Sequence, residues 1–375
     1  MKKSVVILIL LSFTLFAQTN IFTPLDQEIN QHLFNGDWQK SDSLINTQLN
    51  NSPNSLKFNF LKAYNYFYAR YLGNDNPYTR DETIRQVKKY AWDAISNGEN
   101  LEENSENNFY LGSAYSLVAR ADIMGQNFWE GYWNASKAEN YFEDVLDEDP
   151  NLTDAYLNIG VNEYFPAVAV TGFQSVLAWL GGMSGDREAG INHFKNVSEN
   201  GKLFKNEANY ILGTLYGFRE NDLKLAYESW KSLNDQFPGN NRILIQLDRA
   251  YLGKLVDEKG VDFLENEFDS LETVYSVNNP GVLNILGYNL MNQNKLDDAL
   301  VVFKTNVKKY PDIANGYDSL AECFMTRGEN EKAIKYYKMA FEKLKTDSTV
   351  TDQFRSTLEE GIRNNLNELN SKVDI

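Results

Sequence analysis

From residue 280 onward the apolar positions fall at helical spacing, and the spacing itself recurs. "PGVLNILGYNLMNQNKLDDALVVFKTNVKKYPDI" aligns without a gap on "ANGYDSLAECFMTRGENEKAIKYYKMAFEKLKTD", a period of 34 residues. Leu286 and Gly287 stand over Leu320 and Ala321, Leu290 over Phe324, Ala299 over Ala333, and Phe303 over Tyr337. Such recurrence predicts stacked helical hairpins, because a single amphipathic hairpin cannot bury its apolar face alone. The small residue lets two helices touch, the aromatic fills the space between neighbours, and Pro311 stops the second helix. The pattern continues upstream. Leu212, Gly213 and Tyr216 go with Ala226, Trp230 and Pro238. Leu111, Gly112 and Tyr115 go with Ala138, Phe142 and Pro150, with about 14 extra residues between. Ile159 and Gly160 go with Gly190 and Phe194 across an insertion of about 18 residues. Ser41, Ile45 and Pro53 fit the second half of a first copy. Residues 56–104 carry helical patterns around 60–71 and 83–95, and 241–279 hold Leu247 and Tyr251 before an irregular second helix.

The Leu-Gly pair, the spaced Ala and aromatic, and the closing Pro resemble the tetratricopeptide repeat family. That resemblance implies an all-α, right-handed superhelix of seven or eight hairpins, with a polar-faced capping helix at Thr351 to Leu369. Residues 105–240 also resemble the tetratricopeptide repeat protein 39 and inclusion-clearance family, through "AYLNIG", the apolar insertion and "SGDREAGI". The expected organisation is a signal at 1–18 and degenerate repeats at 22–279, with insertions at about 116–137 and 164–186. Two regular repeats follow at 280–347, then a cap and tail at 348–375.

The N-terminus breaks the pattern. Lys2 and Lys3 precede a run from Val5 to Phe16 that is apolar except for Ser12 and Thr14, and Ala17 and Gln18 follow. This is the layout of a secretory signal, and 12 residues fall short of the ~20 that a spanning helix needs. An exported chain, periplasmic or secreted, is expected. No cysteine follows the run, so no lipoprotein anchor is expected.

Composition narrows function. The net charge is −16, from 36 basic and 52 acidic residues, so general nucleic-acid binding is not expected. The single cysteine, Cys323, can form no intrachain disulfide, and it falls on a first helix as a core residue. With two histidines, His32 and His193, there is no readable metal site, and no cofactor is expected. No Gly-x-Ser-x-Gly, His-Glu-x-x-His or phosphate loop occurs, so no catalytic residues are assigned.

Two insertions stand out. From Phe165 to Met183 only Thr171, Gln174 and Ser175 are polar. Pro166 at its start and Gly181-Gly182 at its end predict ~21 Å of helix, packed on a neighbouring insertion. Phe128, Trp129, Tyr132 and Trp133 crowd the other insertion. The family resemblance places a binding surface on the first helix of each hairpin. Its residues would be Asn284, Tyr288, Met291 and Asn292, then Asn315, Asp318, Glu322 and Met325. Tyr210, Thr214 and Phe218 would precede them, with Arg242 and Arg249 between. The expected function is a non-catalytic scaffold for a protein or peptide partner, with Arg242 and Arg249 basic and Asp318 and Glu322 acidic. The alternative is a carrier or enzyme accessory protein that takes an apolar ligand or a membrane surface through residues 164–186.

Overall fold

Helix follows helix along the whole described chain. A computed structural model describes residues 21–75, 78–169, 185–272 and 279–373. The expected signal at 1–18 and most of the apolar insertion, from 170 to 184, lie outside these residues. In order come α1 (Pro24–Phe34), α2 (Trp38–Asn51), α3 (Leu56–Leu72), α4 (Arg80–Gly98), α5 (Ser105–Met124) and α6 (Phe128–Glu148). A short 3-10 turn, Thr153–Ala155, leads into α7 (Tyr156–Ala169), followed by α8 (Arg187–Asn200), α9 (Lys205–Phe218) and α10 (Leu223–Gln236). Then come α11 (Asn241–Lys259), α12 (Leu264–Glu272), α13 (Pro280–Asn292), α14 (Leu296–Lys309), α15 (Ala314–Thr326) and α16 (Asn330–Leu344). The last helix is α17 (Asp352–Val373). No strand occurs among the described residues.

Turns between paired helices share one device. Asn294 between α13 and α14 sits at φ 59°, and Gly328, one period later, sits at φ 76°. Gln126 and Asn221 take the same left-handed conformation in the turns after α5 and α9. Glycine enters that region freely, and asparagine at low cost.

Two compact units emerge from the packing. One comprises 1–31, 39–67 and 78–205; the other comprises 32–38, 68–77 and 206–375.

In the first unit the repeat signature does what its chemistry requires. A Cβ added to Gly112 would lie 3.1 Å from the Phe142 ring and from the Ala138 carbonyl, and one on Gly160 would lie 3.0 Å from Phe194. Phe142, Phe194 and Ala138 are fully buried. The extra residues at 116–137 do not loop out. They lengthen α5 and α6 and leave only a turn at 125–127. Pro166, expected to begin a helix, instead lies inside the last turns of α7.

A feature that the repeat pattern does not announce closes this unit. The segment after α8 returns to the first hairpins. Phe204 packs against Phe60, Tyr64 and Phe109 at centroid distances of 6.4, 5.9 and 5.5 Å. The Asn30 amide donates to the Leu203 carbonyl at 2.7 Å. Buried Asp154 accepts the Phe204 and Lys202 N–H groups at 2.6 and 2.9 Å. A simple array touches only its sequence neighbours; this one joins residues 173 apart.

In the second unit a Cβ on Gly213 would meet the Trp230 ring at 2.7 Å, and one on Gly287 would meet Phe303 at 2.5 Å. Ala226, Leu286, Ala299, Ala321, Ala333 and Tyr337 are buried. Asp347 accepts the first N–H of α15, from Ala314, at 2.9 Å, and Tyr317 donates to the Pro311 carbonyl at 3.0 Å. The α17 cap buries Ile362 and Leu369, and Asn365 donates to the Tyr337 hydroxyl at 2.9 Å. Long-range closure recurs here. Asn240, wholly buried after Pro238, caps α11 by accepting from the Arg242 and Ile243 N–H groups at 2.8 and 3.2 Å. Its amide donates to the Phe34 and Leu72 carbonyls at 2.7 and 3.1 Å. One side chain thus uses both polar atoms, and ties three segments together.

Candidate functional site

All the residues expected to meet a partner belong to the second unit, and they fall in two groups. The first lies on α13 and α15, the first helices of the two regular repeats. The spacing of 34 residues brings Tyr288 level with Glu322, and its hydroxyl donates to Glu322 Oε2 at 2.7 Å. Ser319 lies 3.2 Å from the same hydroxyl. The Tyr288 ring stands edge-on to Phe303 at 5.3 Å, so the core of one repeat fixes the aromatic that reaches the next. Burial, assisted by the bond to Glu322, raises the Tyr288 hydroxyl far above its usual range. Asp318 is one turn before Glu322. Burial first, and the Glu322 charge second, push its carboxyl up to about 7. Asn284 lies one turn before Tyr288, and its side-chain oxygen is buried without a hydrogen-bond partner. The result is a half-buried polar band that crosses from one repeat to the next.

The second group surrounds a cleft of about 270 Å³ lined by Arg70, Tyr71, Leu72, Tyr210, Trp230, Arg242, Ile243 and Gln246. Tyr210 is clamped edge-on between Tyr68 at 6.0 Å and Trp230 at 5.3 Å. Arg242 leaves the first turn of α11, and its Nε donates to the Gly73 carbonyl at 3.4 Å. Arg249, two turns on along the same face, is half-buried with its Nε unpartnered. Burial, and then the Arg242 charge, lower its pKa. Among the described residues no carboxylate pairs with either arginine. Phe218, expected with this group, ends α9 and is 43% exposed.

Sequence reading placed Tyr210, Arg242 and Arg249 on one surface but did not find Arg70 and Tyr71. Those two sit on α3, more than 130 residues upstream, and no periodicity links them to α11.

The other candidates resolve simply. Cys323 is fully buried, and burial pushes its thiol up to about 11, which suits a core residue and not a nucleophile. His193 stacks on Tyr156 at 5.0 Å and approaches Glu163 at 3.3 Å. Among the described residues no three metal-ligating side chains cluster. No described helix is long and apolar enough to cross a membrane. Phe128, Trp129 and Trp133 lie on the first turns of α6, 65, 59 and 62% exposed.

No family model and no curated protein matches the chain. Several solved structures are similar to it. The APC/C hetero-tetramer Cut9–Hcn1 shares 12% identity over 91% of this chain and 57% of its own, with TM-score 0.40. The TPR2AB-domain:pHSP90 complex of yeast Sti1 shares 11% over 92% and 97%, with TM-score 0.25. The P58(IPK) TPR domain shares 13% over 92% and 98%, with TM-score 0.23. The chain spans 57% of the length of the first of these. What assigns the fold is the packing of Gly112 on Phe142, Gly213 on Trp230 and Gly287 on Phe303: an all-α array of hairpins built on the tetratricopeptide pattern.

Proposed function

We propose that this chain is an exported, non-catalytic scaffold that binds a protein or peptide partner on the first-helix face of its regular repeats. The observation that carries this reading is the Tyr288–Glu322 hydrogen bond at 2.7 Å, which makes one continuous surface of two repeats. A surface that repeats every hairpin suits an extended or helical partner, with rigid aromatics as anchors. Its Glu322 carboxylate favours a partner that is basic where it meets that residue. The apolar run before Ala17 supports export. The N-terminus of protein recovered from its native host should begin near Ala17 or Gln18, and an intact Met1 on the located protein would remove export from the proposal.

A photo-reactive residue placed at exposed Asn292 tests the surface in the native host. It should give a discrete adduct that the double substitution Tyr288→Ala, Glu322→Ala diminishes in the folded protein. The same group at exposed Lys304, on the second helix, should give none. Equal adducts from both positions, or adducts indifferent to the double substitution, would overturn the assignment.

A further inference from the structure

The α5–α6 hairpin is longer than the repeat needs. α5 has 20 residues and α6 has 21, against 13 and 14 in α13 and α14 of the first regular repeat. When the hairpins are aligned on their packing residues, Gly112 with Gly287 and Ala138 with Ala299, the surplus falls at the turn end. It comprises residues 118–124 and 128–134, about 10 Å of each helix at 1.5 Å per residue. Its inner side is built as core. Ala119, Ala121 and Asp122 are buried, a Cβ on Gly131 would lie 2.8 Å from Ile123, and Asn134 donates to Asp122 at 2.9 Å. Its outer side is the reverse. Ile123, Phe128, Trp129 and Trp133 are the four most exposed large apolar side chains among the described residues, and all four lie in the surplus. Contiguous exposed apolar surface of this kind marks a contact surface.

We propose that the extended tip of this hairpin docks on a neutral lipid surface, a bilayer of zwitterionic headgroups, by inserting Phe128, Trp129, Trp133 and Ile123. The inference is independent of the partner-binding surface on α13 and α15. At 3.6 residues per turn, Phe128, Trp129 and Trp133 fan over about 140° of α6 within about 8 Å of its axis length. A helix laid in a groove would be met by a stripe running along α6. Here the apolar surface instead wraps the end of the helix and stops, and exposed Lys137 and Asn140 follow it. That shape fits a planar boundary entered to the ~5–10 Å depth of an interfacial element. The side chains fit too, because Trp and Tyr settle at headgroup level, and Tyr132 stands against Trp133 at 5.3 Å. Charge selects the kind of lipid. From Ile123 to Ser136 the only charged residue is Glu130, in a chain of net charge −16. Such a tip offers no hold to anionic headgroups, which recruit clustered Lys and Arg, and no counter-charge to a basic protein.

Flotation with phosphatidylcholine vesicles, using protein recovered from its native host, tests this. The unaltered protein should float with these vesicles, and less with phosphatidylglycerol vesicles. The double variant W129E/W133E should lower partitioning by at least about tenfold while Tm stays unchanged. W92E, at an exposed tryptophan of α4 outside the extension, should float as the unaltered protein does. W129F/W133F, which keeps apolar rings at both positions, should retain most of the partitioning. It should lose the quenching of tryptophan fluorescence that brominated phosphatidylcholine causes in the unaltered protein. Should W129E/W133E not fold, this quenching comparison carries the same test. No flotation of the unaltered protein, flotation indifferent to W129E/W133E, or tighter binding to phosphatidylglycerol would overturn the proposal. Quenching that survives W129F/W133F would also overturn it, and would assign lipid contact to the apolar run that follows α7. So would a dimer in sedimentation equilibrium that W129E/W133E dissolves, which would assign the tip to a second copy of the chain.

Discussion

At single positions, close approach decides which changes the molecule tolerates. A Cβ on Gly287 would fall 2.5 Å from the buried Phe303 ring, which cannot retreat. G287A should therefore cost about 1–3 kcal/mol. Gly361 in α17 has nothing within 4 Å of such a carbon, so G361A should stabilise by about 0.5–1 kcal/mol. Urea melts of the two variants should move in opposite directions. Asp318 makes a second test. Its folded pKa, pushed up to about 7, lies above the ordinary aspartate value, so the folded chain holds a proton that the unfolded chain releases. Stability contributed by this group is then greatest below about pH 4 and is lost as the pH rises toward 7. D318N should stabilise by about 1–3 kcal/mol at pH 8 and change little at pH 4.5, as read by thermal melts at both. A stabilisation that was equal at the two pH values would mean that the carboxyl is not held protonated by its surroundings.

Among elements, the hairpins were legible in the sequence and their ends were not. Leu286, Gly287, Ala299 and Phe303 announce α13 and α14 because the pattern encodes contact between sequence neighbours. Asn240 carries no such sign. It reads as one more polar residue after Pro238, yet it caps α11 and meets the carbonyls of Phe34 and Leu72. The cleft was only half legible for the same reason. Arg242 and Arg249 share a helix face and could be read together, whereas Arg70 and Tyr71 reach it from α3 through tertiary packing. The aromatic stretch from Phe128 to Trp133 reads as an insertion because the repeat length is exceeded, although α5 and α6 absorb the excess as extra turns. N240D would turn two donated hydrogen bonds into an oxygen facing two carbonyl oxygens. It should destabilise the second unit by more than about 2 kcal/mol, against about 1 kcal/mol for an ordinary cap loss. Hydrogen exchange should then show lost protection at the start of α11 and at the ends of α1 and α3.

For the molecule as a whole, these ties make the chain less modular than its repeats suggest. In a linear array, stability is a sum over repeats and the interfaces between neighbours, so removing an end repeat takes away one interface. Here α1 holds Asn30, bonded to Leu203, and Phe34, bonded to Asn240. Phe22, just before it, packs on Phe109 at 5.2 Å. A chain that begins at residue 56 should lose far more stability than one shortened by the α17 cap. Its urea transition should broaden and move to much lower denaturant. A truncated chain that melted with nearly unchanged cooperativity would show that the closing contacts carry little weight.

The Asn240 junction also sets an order in time. Synthesis delivers Phe34 first, and the side chain that satisfies its carbonyl comes 206 residues later. At about 5–20 residues per second, on the order of ten to forty seconds separate the two. Over that interval Phe34, Tyr68 and Leu72, all buried in the finished fold, have no Phe237 or Asn240 to cover them. The growing chain therefore presents its N-terminal helices as an exposed apolar surface for most of its synthesis, and a holding chaperone that recognises such surface would find its binding site there.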